Sequence, residues 1–488
     1  MMTYDEALER LAALGPELRT GRAADNAAIP ARRKFSLDHI RALLKALGEP
    51  QRTFASVLIA GTNGKGSTAS TLASISNAAG IKTGLYTSPH LLRVNERIKV
   101  SGGAGGGAHT LQEIPDADFG RLYGLVDTAV ARLIAMGGLP HYPSFFELLT
   151  AIAFAWFREQ NVEFGVLEVG LGGRLDATNA VEPIVSVITD IGIDHTEYLG
   201  NTIREIAGEK AGILRRDGVL VTLAQHQEAN AAIGEAAVRL GVRGVDAARC
   251  LPPSRDFIAR LGSGEGASLV ARNVYDLSLE GGALHVDSPL AGQHQQRNLA
   301  LAIATALELR ANQRLVDGRA FSISNAAIEQ GIRETQWPGR LEWIASRAGH
   351  AALLLDVAHN PAGAWTLRAA ISQLPEHLPR TLIFGCLADK QIDEMEQVLL
   401  PLFDSTSGDP ARVGDHVILA PVHNPRAATI EELAAAAQRL DVPVHLASDL
   451  RDALQQAQSL TPKDGVIVAT GSIFLVGEIR VLALTQAG

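Results

Sequence analysis

The sequence contains few cysteines, few aromatic residues and no excess of positive charge. Its two cysteines, Cys250 and Cys386, lie far apart and fit neither a disulfide framework nor a metal-binding motif, as expected in a reducing compartment. The net charge of −9 argues against nucleic acid or an anionic membrane as a bulk partner, because both attract basic proteins. The sequence contains no run of about 18 apolar residues, so we expect no transmembrane helix. The N-terminus also lacks a secretory signal, so we expect a cytoplasmic protein.

Composition and hydrophobic pattern predict two α/β domains. A chain of 488 residues, with 47% hydrophobic and 20% charged residues, exceeds the usual size of a single core. Short β-branched runs alternate with helical patterns, which predicts a mostly parallel sheet with helices on both faces. We place an N-terminal domain at residues 1–335 and a C-terminal Rossmann-like α/β domain at residues 336–488. A glycine-rich insertion at about 101–108 and a small antiparallel patch at 255–287 interrupt the first domain.

One stretch, residues 59–68, is typical of a phosphate-binding loop. A buried strand leads into a glycine-rich turn, and the turn opens a helix whose first residues are small. Gly61, Gly64 and Gly66 allow backbone N–H groups and the helix N-terminus to face an anion. Lys65 adds a mobile ammonium group that can reach a terminal phosphate. The spacing departs from the general P-loop motif, so a plain strand-to-helix turn stays open as an alternative.

Three polar residues, Ser88, Glu168 and His195, lie where predicted strands end. In open α/β sheets the ligand site forms at the carboxyl ends of the strands. A carboxylate at the end of a Val-Leu-Glu-Val strand is costly to bury unless a cation meets it, and a divalent ion beside nucleotide phosphates would do so. The alternatives are a capping carboxylate paired with Arg174 for Glu168 and a hydrogen-bonded loop residue for His195.

Two further groups place charged residues among small or apolar neighbours. Lys210 follows Glu209 on a predicted helix, where the ordinary interpretation is a solvated surface pair. Its small neighbours indicate instead a helix packed closely against a site. In the second domain, Asp356 and His359 follow a strand and Arg340 lies at the linker. The alternatives there are a loop-stabilising aspartate, an N-capping asparagine and a surface arginine.

Taken together, these motifs closely resemble the dihydrofolate synthase/folylpolyglutamate synthase family, within the Mur ligase superfamily. The loop of that family is GTNGKGS, which accounts for the departure from the general P-loop spacing. Matching motifs follow one another in order from residue 59 to Ser472. They are the phosphate loop, Tyr86 to Leu91, Asn95-Glu96-Arg97, Glu168 to Asn179, Asp194-His195, Leu199-Gly200, Glu209 to Gly212, Gln293 to Asn298, Pro338-Gly339-Arg340 and Asp356 to Pro361.

The resemblance implies an ATP-dependent amide ligase, with an N-terminal Mur-ligase-like ATP- and folate-binding domain and a C-terminal glutamate-ligase domain. ATP would phosphorylate the carboxylate of dihydropteroate or of a tetrahydrofolate polyglutamate. L-Glutamate would attack the resulting acyl phosphate, and ADP and phosphate would be released. Activation is needed because a carboxylate anion is a poor electrophile and is repelled by ATP. Magnesium and Lys65 would offset that repulsion.

The same resemblance implies roles for individual residues. Ser88, Glu168 and His195 would hold magnesium, and Lys210 corresponds to a lysine that is carbamylated in the superfamily. A nucleotide contacted from both domains would draw them together. The implied ATP contacts are Thr62, Asn63, Gly64, Lys65, Gly66, Ser67, Thr68, Asn298, Arg340 and Asp356. The implied catalytic residues are Lys65, His195, Lys210, Asp356 and His359.

Contacts with the other substrates are also implied by the resemblance. A dihydropteroate pocket would combine an aromatic platform with a carboxylate, which suits a flat ring carrying amidine-like N–H donors. Asp176 is the better indication of dihydrofolate synthase activity, whereas core packing in an apolar helix is the alternative for Phe146. His359 and Ser472 would lie near the incoming glutamate. The implied pterin and folate contacts are Ser36, Leu37, Asp38, Ser144, Phe146 and Asp176.

Other functions stay open from the sequence. The nearest is folylpolyglutamate synthase activity alone. A peptidoglycan-precursor ligase would call for a uridine-nucleotide domain before the phosphate loop, where about 55 residues stand. A nucleotide-binding regulator without ligase chemistry is disfavoured by the intact set of Lys65, Glu168, His195 and Lys210. From the resemblance we expect small-molecule substrates and a monomer.

Overall fold

The chain divides into two units, each built on its own β-sheet. The computed structural model describes residues 2–15, 36–102, 110–253, 268–279, 282–346 and 349–485. The first unit comprises Met1–Asp256, Tyr275–Asp287 and Gln296–Gln336, and the second comprises Phe257–Val274, Ser288–Gln295 and Trp337–Gly488. The second unit therefore includes two short segments that precede the division placed at about residue 335. Most of the glycine-rich insertion, and residues 254–267 of the antiparallel patch, lie outside the described residues.

An eight-stranded sheet organises the first unit. Its strands are β1 (Ala55–Ala60), β2 (Thr83–Tyr86), β3 (Ile98–Ser101), β4 (Leu111–Glu113), β5 (Phe164–Glu168), β6 (Val185–Ile188), β7 (Val219–Thr222) and β8 (Arg243–Asp246), in the spatial order β4-β3-β2-β5-β1-β6-β7-β8. In the spatial order β2-β5-β1-β6-β7-β8, neighbouring strands are parallel. Strands β3 and β4 add antiparallel pairs at the β2 edge of the sheet. The carboxyl ends of β2, β5, β1 and β6 therefore lie side by side at one edge of the sheet.

Helices cover both faces of this sheet. They are α1 (Tyr4–Ala13), α2 (Leu37–Ala46), α3 (Lys65–Ala78), α4 (Asp116–Ala135), α5 (Phe145–Glu159), α6 (Thr196–Leu199), α7 (Ile203–Lys210), α8 (Gln227–Leu240), α9 (His294–Asn312) and α10 (Asn325–Arg333). One hydrophobic core contains side chains of α1, α2, α4, α5, α7 and α8. The other contains α3, α9, α10 and a two-stranded sheet of β9 (Asn273–Leu279) and β10 (Gly282–Ser288). The predicted α/β class with a mostly parallel sheet is confirmed.

The helix that follows β1 is almost entirely buried. Gly64, with a φ of 88°, is its N-cap, so α3 begins at Lys65, directly after the glycine-rich turn. Serine, threonine and alanine make up most of α3, and these small side chains permit close packing. A Cβ added to Gly331 of α10 would lie 2.3 Å from the Cα of Ile75. This packing fixes the helix on which the phosphate loop ends.

The second unit is built on a six-stranded sheet. Its strands are β11 (Glu342–Ile344), β12 (Ala352–Leu355), β13 (Arg380–Phe384), β14 (His416–Leu419), β15 (His445–Leu446) and β16 (Val466–Thr470), ordered β11-β12-β16-β13-β14-β15. Among these strands of the described residues, β11 alone pairs in the antiparallel sense. Its helices are α11 (Pro361–Ile371), α12 (Ile392–Leu399), α13 (Ile430–Arg439), α14 (Leu450–Leu460) and α15 (Ile473–Thr485). This is the second parallel α/β unit that the sequence predicts.

Cysteine usage and helix hydropathy agree with the composition. Cys250 and Cys386 are both buried free thiols. Among the helices of the described residues, none combines the length and the apolar character needed to cross a bilayer.

Candidate active site

The phosphate loop places a lysine and a helix N-terminus at the end of the central strand. Gly64 carries no side chain that could cap α3, so the first-turn N–H groups are not capped by it. The Nζ of Lys65 donates to the backbone oxygen of Thr62 at 3.1 Å. Gly61 is held so closely that a Cβ there would lie 1.8 Å from the Oγ1 of Thr189. A cation and a helix N-terminus at one turn are the elements of an anion site.

The loop is anchored to the segment that follows β6. The amides of Thr62 and Asn63 donate to the backbone oxygen of Asp190 at 2.8 and 3.2 Å. The hydroxyl of Thr189 donates to the Asn63 oxygen at 2.8 Å. Arg297 holds the Asp190 carboxylate with both its Nε (2.9 Å) and its Nη2 (2.6 Å). Sequence reasoning missed Asp190 and Arg297, although Asp190 follows a strand and Arg297 precedes a predicted nucleotide contact.

Asn298, for which the resemblance implies an ATP contact, lies against the same loop. Its side chain is buried, and a Cβ added to Gly64 would lie 2.1 Å from its Oδ1. The Thr68 hydroxyl donates to the backbone oxygen of Asn298 at 3.5 Å. Glycine is therefore required at position 64 both by backbone conformation and by the space that Asn298 occupies.

A buried carboxylate meets the loop after β2. Glu168 is 4% exposed, and its Oε2 accepts a hydrogen bond from the amide of Ser88 at 3.0 Å. It is aligned with Ile59 of β1, so it lies beside the strand that leads into the phosphate loop. Arg174, the alternative partner considered for Glu168, pairs with Glu209 at 3.0 Å. The structure thus brings Ser88, Glu168 and the phosphate loop together at one sheet edge.

His195 lies on the segment after β6, the strand on the other side of β1. It adopts a left-handed conformation with a φ of 50°, and its amide donates to the Asp194 carboxylate at 2.9 Å. Its Nε2 is 3.8 Å from the other Asp194 oxygen. Among the described residues, no three His, Cys, Asp or Glu side chains form a metal-binding group. The Ser88 hydroxyl and the Glu168 carboxylate are oxygen donors of the kind that Mg²⁺ prefers, whereas the imidazole of His195 is not, so the metal role of His195 stays a prediction.

Lys210 is buried against the phosphate loop. Its side chain is 4% exposed, and its Nζ donates to the backbone oxygen of Gly61 at 2.7 Å. The pKa of this amine is lowered to about 7, mainly by burial and also by the charge of Lys65, while Asp194 and Asp176 oppose the shift. The alternative of a solvated Glu209–Lys210 surface pair is therefore wrong, because packing of α7 against the 170–174 loop turns the lysine inward.

Asp176 is enclosed by its own loop. Its Oδ1 accepts from the amide of Thr178 at 3.0 Å and from the Thr178 hydroxyl at 2.5 Å, and its Oδ2 accepts from the amide of Leu171 at 2.9 Å. Burial raises the pKa of this carboxyl to about 6, although these hydrogen bonds lower it. It also caps the 3-10 turn Ala177–Ala180. Asp176 therefore shapes the loop next to Phe146.

The other residues predicted to bind the pterin lie on the same side of the sheet. The Phe146 ring lies 5.8 Å from the Tyr86 ring, and a Cβ on Gly170 would be 2.6 Å from its Cζ. Ser144 caps α5 in a capping box with Glu147. The remaining three, Ser36, Leu37 and Asp38, lie at the start of α2. Ser36 caps this helix, and its hydroxyl donates a hydrogen bond to the Asp38 carboxylate. Helix α2 packs against α5 and against the turn that Asp176 caps.

In the second unit, Arg340 and Asp356 interact electrostatically. The Asp356 carboxylate accepts from the amides of Leu341 and Ala358, each at 2.9 Å. Burial raises the pKa of Asp356, and the positive charge of Arg340 opposes that rise. The Arg340 guanidinium carbon lies 5.9 Å from the centre of the Trp337 ring. Asp356 is thus loop-stabilising, one of the alternatives left open, and it also faces a cation.

His359 and Ser472 belong to neighbouring strand ends of the second unit. The Nδ1 of His359 lies 2.9 Å from the backbone oxygen of Val357. The amide of Gly471 donates to the Ala358 oxygen at 3.1 Å, which joins the segment before Ser472 to the segment before His359. Ser472 is buried at the start of α15. Asn360, the asparagine that follows His359, caps α11 with its side chain, so the alternative of an N-capping asparagine is confirmed.

Comparisons with known proteins match both units. Residues 144–306 match the Mur ligase middle domain, and residues 339–473 match the Mur ligase, glutamate ligase domain. A dihydrofolate synthase/folylpolyglutamate synthase of Mycobacterium tuberculosis is 36% identical over 472 residues, covering 92% of this chain and 90% of that protein. A folylpolyglutamate synthase of Lacticaseibacillus casei is 34% identical over 446 residues, covering 91% of this chain and 94% of that protein.

Solved structures show the same fold. Mycobacterium tuberculosis folylpolyglutamate synthase complexed with ADP is 32% identical, with a TM-score of 0.77 and coverage of 98% of each chain. Escherichia coli FolC in complex with DHPP and ADP is 26% identical, with a TM-score of 0.73, covering 99% of this chain and 98% of that chain.

Proposed function

We propose the following function for this chain, which belongs to the dihydrofolate synthase/folylpolyglutamate synthase family of Mur ligases: ATP-dependent addition of L-glutamate to dihydropteroate and to reduced folates. One observation of the structure carries the proposal. The lysine of the phosphate loop opens α3 at the sheet edge where Glu168 and Lys210 are buried. Relatives with these activities in their names align with more than nine tenths of this chain, which supports the assignment.

The reaction proceeds in two displacements. A carboxylate oxygen of the acceptor attacks the γ-phosphorus of ATP, the bond to the β–γ bridging oxygen breaks, and ADP leaves. The amino nitrogen of L-glutamate then attacks the acyl carbon, the carbon–oxygen bond to phosphate breaks, and the nitrogen gives up a proton. Dihydropteroate yields dihydrofolate, and tetrahydrofolates gain one further glutamate. Catalysis consists mainly of positioning and of stabilising negative charge.

The phosphate loop and its surroundings supply that stabilisation. We assign Lys65 and the loop N–H groups to the β- and γ-phosphates, with Asn298 beside them. Ser88, Glu168 and His195 would hold Mg²⁺, which when bound supplies positive charge against the repulsion between ATP and the acceptor carboxylate. In the second unit we assign Arg340 and Asp356 to the nucleotide. The assignments to the incoming glutamate are His359 and Ser472.

We further assign a carbamate to Lys210. The amine is buried and its pKa is about 7, so a large fraction is neutral and nucleophilic at neutral pH. The neutral nitrogen adds to carbon dioxide and releases one proton, which gives an N-carboxylate in place of an ammonium. The negative charge of this carbamate, beside Gly61 and Lys65, would help to hold Mg²⁺ and would orient the phosphate loop.

The acceptor pocket is assigned to the face that carries Phe146. The ring of Phe146 provides an apolar platform, and the start of α2 packs against the turn that Asp176 caps. The pterin and folate contacts proposed here are Ser36, Leu37, Asp38, Ser144, Phe146 and Asp176. Of these, the Asp176 carboxylate is the group suited to amidine-like N–H donors.

A second candidate is folylpolyglutamate synthase activity alone, because the Lacticaseibacillus casei relative carries only that name. Incubation of the wild-type protein with dihydropteroate, L-glutamate and Mg-ATP, followed by mass detection of dihydrofolate, separates the two. Product from tetrahydrofolate but none from dihydropteroate would favour the second candidate. Asp176→Asn should then be compared on both acceptors.

The proposal is tested by ADP release. We expect ADP formation that requires both an acceptor folate and L-glutamate, and a fall of at least about 100-fold in Lys65→Ala, because an electrostatic contact to the transferred phosphate is lost. Lys463→Ala, an exposed lysine of the second unit, is the matched control and should retain full activity. ATP binding without acceptor-dependent ADP would refute the ligase assignment.

A further inference from the structure

Two histidines stand side by side at one edge of the sheet in the second unit. His416 is the first residue of β14, and His445 is the first residue of β15, the strand at the end of the sheet order. His416 is half-buried and His445 is exposed. Neither residue is among those assigned to the ligase reaction, so the pair calls for a separate explanation.

The strand register places both rings on the same face of the sheet. Strands β14 and β15 are parallel, and Ile418 is aligned with His445. Because side chains alternate along a strand, His416 and Ile418 share a face, and the aligned His445 shares it with them. The Nε2 of His445 lies 3.4 Å from the Nδ1 of His416, and the ring planes are inclined at 63°. One nitrogen of each ring thus faces the other ring across a narrow gap.

The distance between these two nitrogens suits a bridging cation better than a hydrogen bond. Hydrogen bonds from an N–H donor usually span about 2.7–3.2 Å between heavy atoms, so a separation of 3.4 Å is a weak contact. Zinc binds histidine nitrogens at about 2.0–2.1 Å. An ion at that distance from both nitrogens would make an N–Zn–N angle of about 110°. This is the angle of tetrahedral coordination, which zinc adopts in proteins.

The same distance discriminates between metal ions. A right angle between two nitrogens bound at about 2.0–2.1 Å requires them to stand about 2.9 Å apart, closer than these two rings lie. Square-planar coordination, as of copper(II) or nickel(II), is therefore a poorer fit than tetrahedral coordination. Magnesium and calcium prefer oxygen ligands, whereas imidazole is an ordinary ligand of zinc.

A helix end adds a favourable potential on this face. Helix α14 packs on β13 and β14, and Thr461 is its C-cap. The Thr461 hydroxyl lies 2.7 Å from the hydroxyl of Thr381, and Thr381 is aligned with His416. The C-terminal end of a helix carries a partial negative charge, which stabilises cations near it. The end of α14 and the histidine pair therefore lie on one face, where a cation is favoured.

We propose that His416 and His445 bind a zinc ion, with water molecules in the remaining coordination positions. The inference goes beyond the ligase function and does not depend on it. In the metal-free pair, the hydrogen that is shared across the gap belongs to one of the facing nitrogens. When zinc binds, exchange with solvent moves that hydrogen to the far nitrogen of its ring, so both facing lone pairs bind the ion and neutral rings release no net proton. Because β15 has two residues, the ion fastens a short edge strand to β14.

Calorimetric titration of the untagged protein with zinc chloride, in excess Mg²⁺, tests the site. We expect one zinc equivalent that is retained in His377→Gln, an exposed histidine of the same unit and the matched control. In His416→Gln and in His445→Gln its affinity should fall at least about tenfold. Loss of a residue that only supports a metal ligand already costs about 10- to 100-fold, and each variant removes one of two protein ligands. Equal zinc stoichiometry and affinity in wild type and His445→Gln would overturn the proposal.

Nitrogen-15 NMR of the histidine rings identifies the atoms that bind. Zinc should shift the signals of His445 Nε2 and His416 Nδ1 and leave those of His377 unchanged. Zinc should also raise the melting temperature of the wild type but not of His445→Gln, because a ligand that binds the folded state stabilises it. Melting of His445→Gln without metal should match the wild type, since this side chain is exposed. Ring signals of His416 and His445 that do not respond to zinc would contradict the site even if zinc bound elsewhere.

Discussion

Burial lowers the pKa of the Lys210 amine into the neutral range. Its pKa is lowered to about 7, so the neutral amine predominates above that pH and the ammonium below it. Carbamate formation needs the neutral form, so both carbamate content and ligase activity should rise between pH 6 and pH 8. Carbon-13 NMR of protein equilibrated with labelled carbon dioxide measures the carbamate directly.

The matched variants for this measurement are Lys210→Met and Lys463→Met. The carbamate signal should vanish in the first and persist in the second. Bicarbonate depletion at pH 7 should lower the activity of the wild type. An undiminished carbamate signal in Lys210→Met would assign the modification to another amine.

Glu396 is a buried acid that the proposed chemistry does not use. It is 0% exposed, and neither of its carboxylate oxygens has a hydrogen-bond partner among the described residues. Burial raises its pKa from 4.5 to about 8, and the charge of Asp393 adds to the rise. The protonated form is therefore favoured in the folded protein. Its contribution to stability is complete below pH 4.5 and is lost as pH rises through about 8.

Glu396→Gln should remove that pH dependence. Relative to the wild type, the variant should gain up to about 1.4 kcal/mol in unfolding free energy per pH unit across this window, and nothing further above it. Urea denaturation at pH 5, 7 and 9 measures the difference. Glu394→Gln, an exposed glutamate of the same helix, is the control and should show no such trend. A constant difference between Glu396→Gln and wild type at all three pH values would contradict the account.

For single residues, the sequence indicates a site residue when a charged side chain stands at a position that is expected to be buried. Glu168 was found because a carboxylate at the end of an apolar strand is costly to bury. Asp190 and Arg297 were missed because their pairing joins positions 107 residues apart. The small sequence neighbours of Lys210 indicate close packing, and its burial agrees with that interpretation, whereas its role stays a prediction.

The junction between β1 and α3 makes a prediction at the scale of an element. Gly64 and Gly80 flank α3, with φ values of 88° and 77°. A Cβ on Gly64 would lie 2.1 Å from Asn298, whereas a Cβ on Gly80 meets nothing within 4 Å. Gly64→Ala should weaken ADP binding at least about tenfold, since the loop must shift. Gly80→Ala should cost only the backbone strain of about 1–2 kcal/mol and leave affinity unchanged.

Calorimetric titration with ADP compares the two variants. Both substitutions carry a similar backbone penalty, so a difference in ADP affinity between the two variants isolates the effect on the phosphate loop. Equal affinities in Gly64→Ala and the wild type would show that the loop does not form the nucleotide site. A loss of affinity in Gly80→Ala would show that strain alone explains the effect.

Elements with strong periodicity were predicted, and those with weak contrast were not. Strands β1 and β5 are wholly buried, and their apolar runs mark them plainly. Helix α8 buries mainly alanines, which give weak hydrophobic contrast. Helix α4 is an exception, because its buried Phe119, Leu122, Val126 and Val130 stand at helical spacing and sequence reasoning still missed it. Helix α15 is apolar around most of its circumference, which conceals its period. The edge strands β3, β4 and β15 are too short to be read from alternation.

For the whole molecule, the alternation of strands and helices was sufficient to predict the α/β class and a mostly parallel sheet. The assignment of Phe257–Val274 and Ser288–Gln295 to the second unit could not be predicted. These segments lie before the linker in sequence, and only tertiary packing, as of Val270 and Ala291 in the second core, reveals the assignment. The family resemblance supplied the residue roles, which composition and periodicity alone left open.

The central claim, that ATP activates the acceptor as an acyl phosphate, is tested most directly by following oxygen. Dihydropteroate labelled with ¹⁸O in its carboxylate should be incubated with L-glutamate, Mg-ATP and the wild-type protein, and the released phosphate analysed by mass spectrometry. Our account predicts that each phosphate released with dihydrofolate carries one ¹⁸O atom from the acceptor. Unlabelled phosphate, formed by attack of water on ATP, would contradict it.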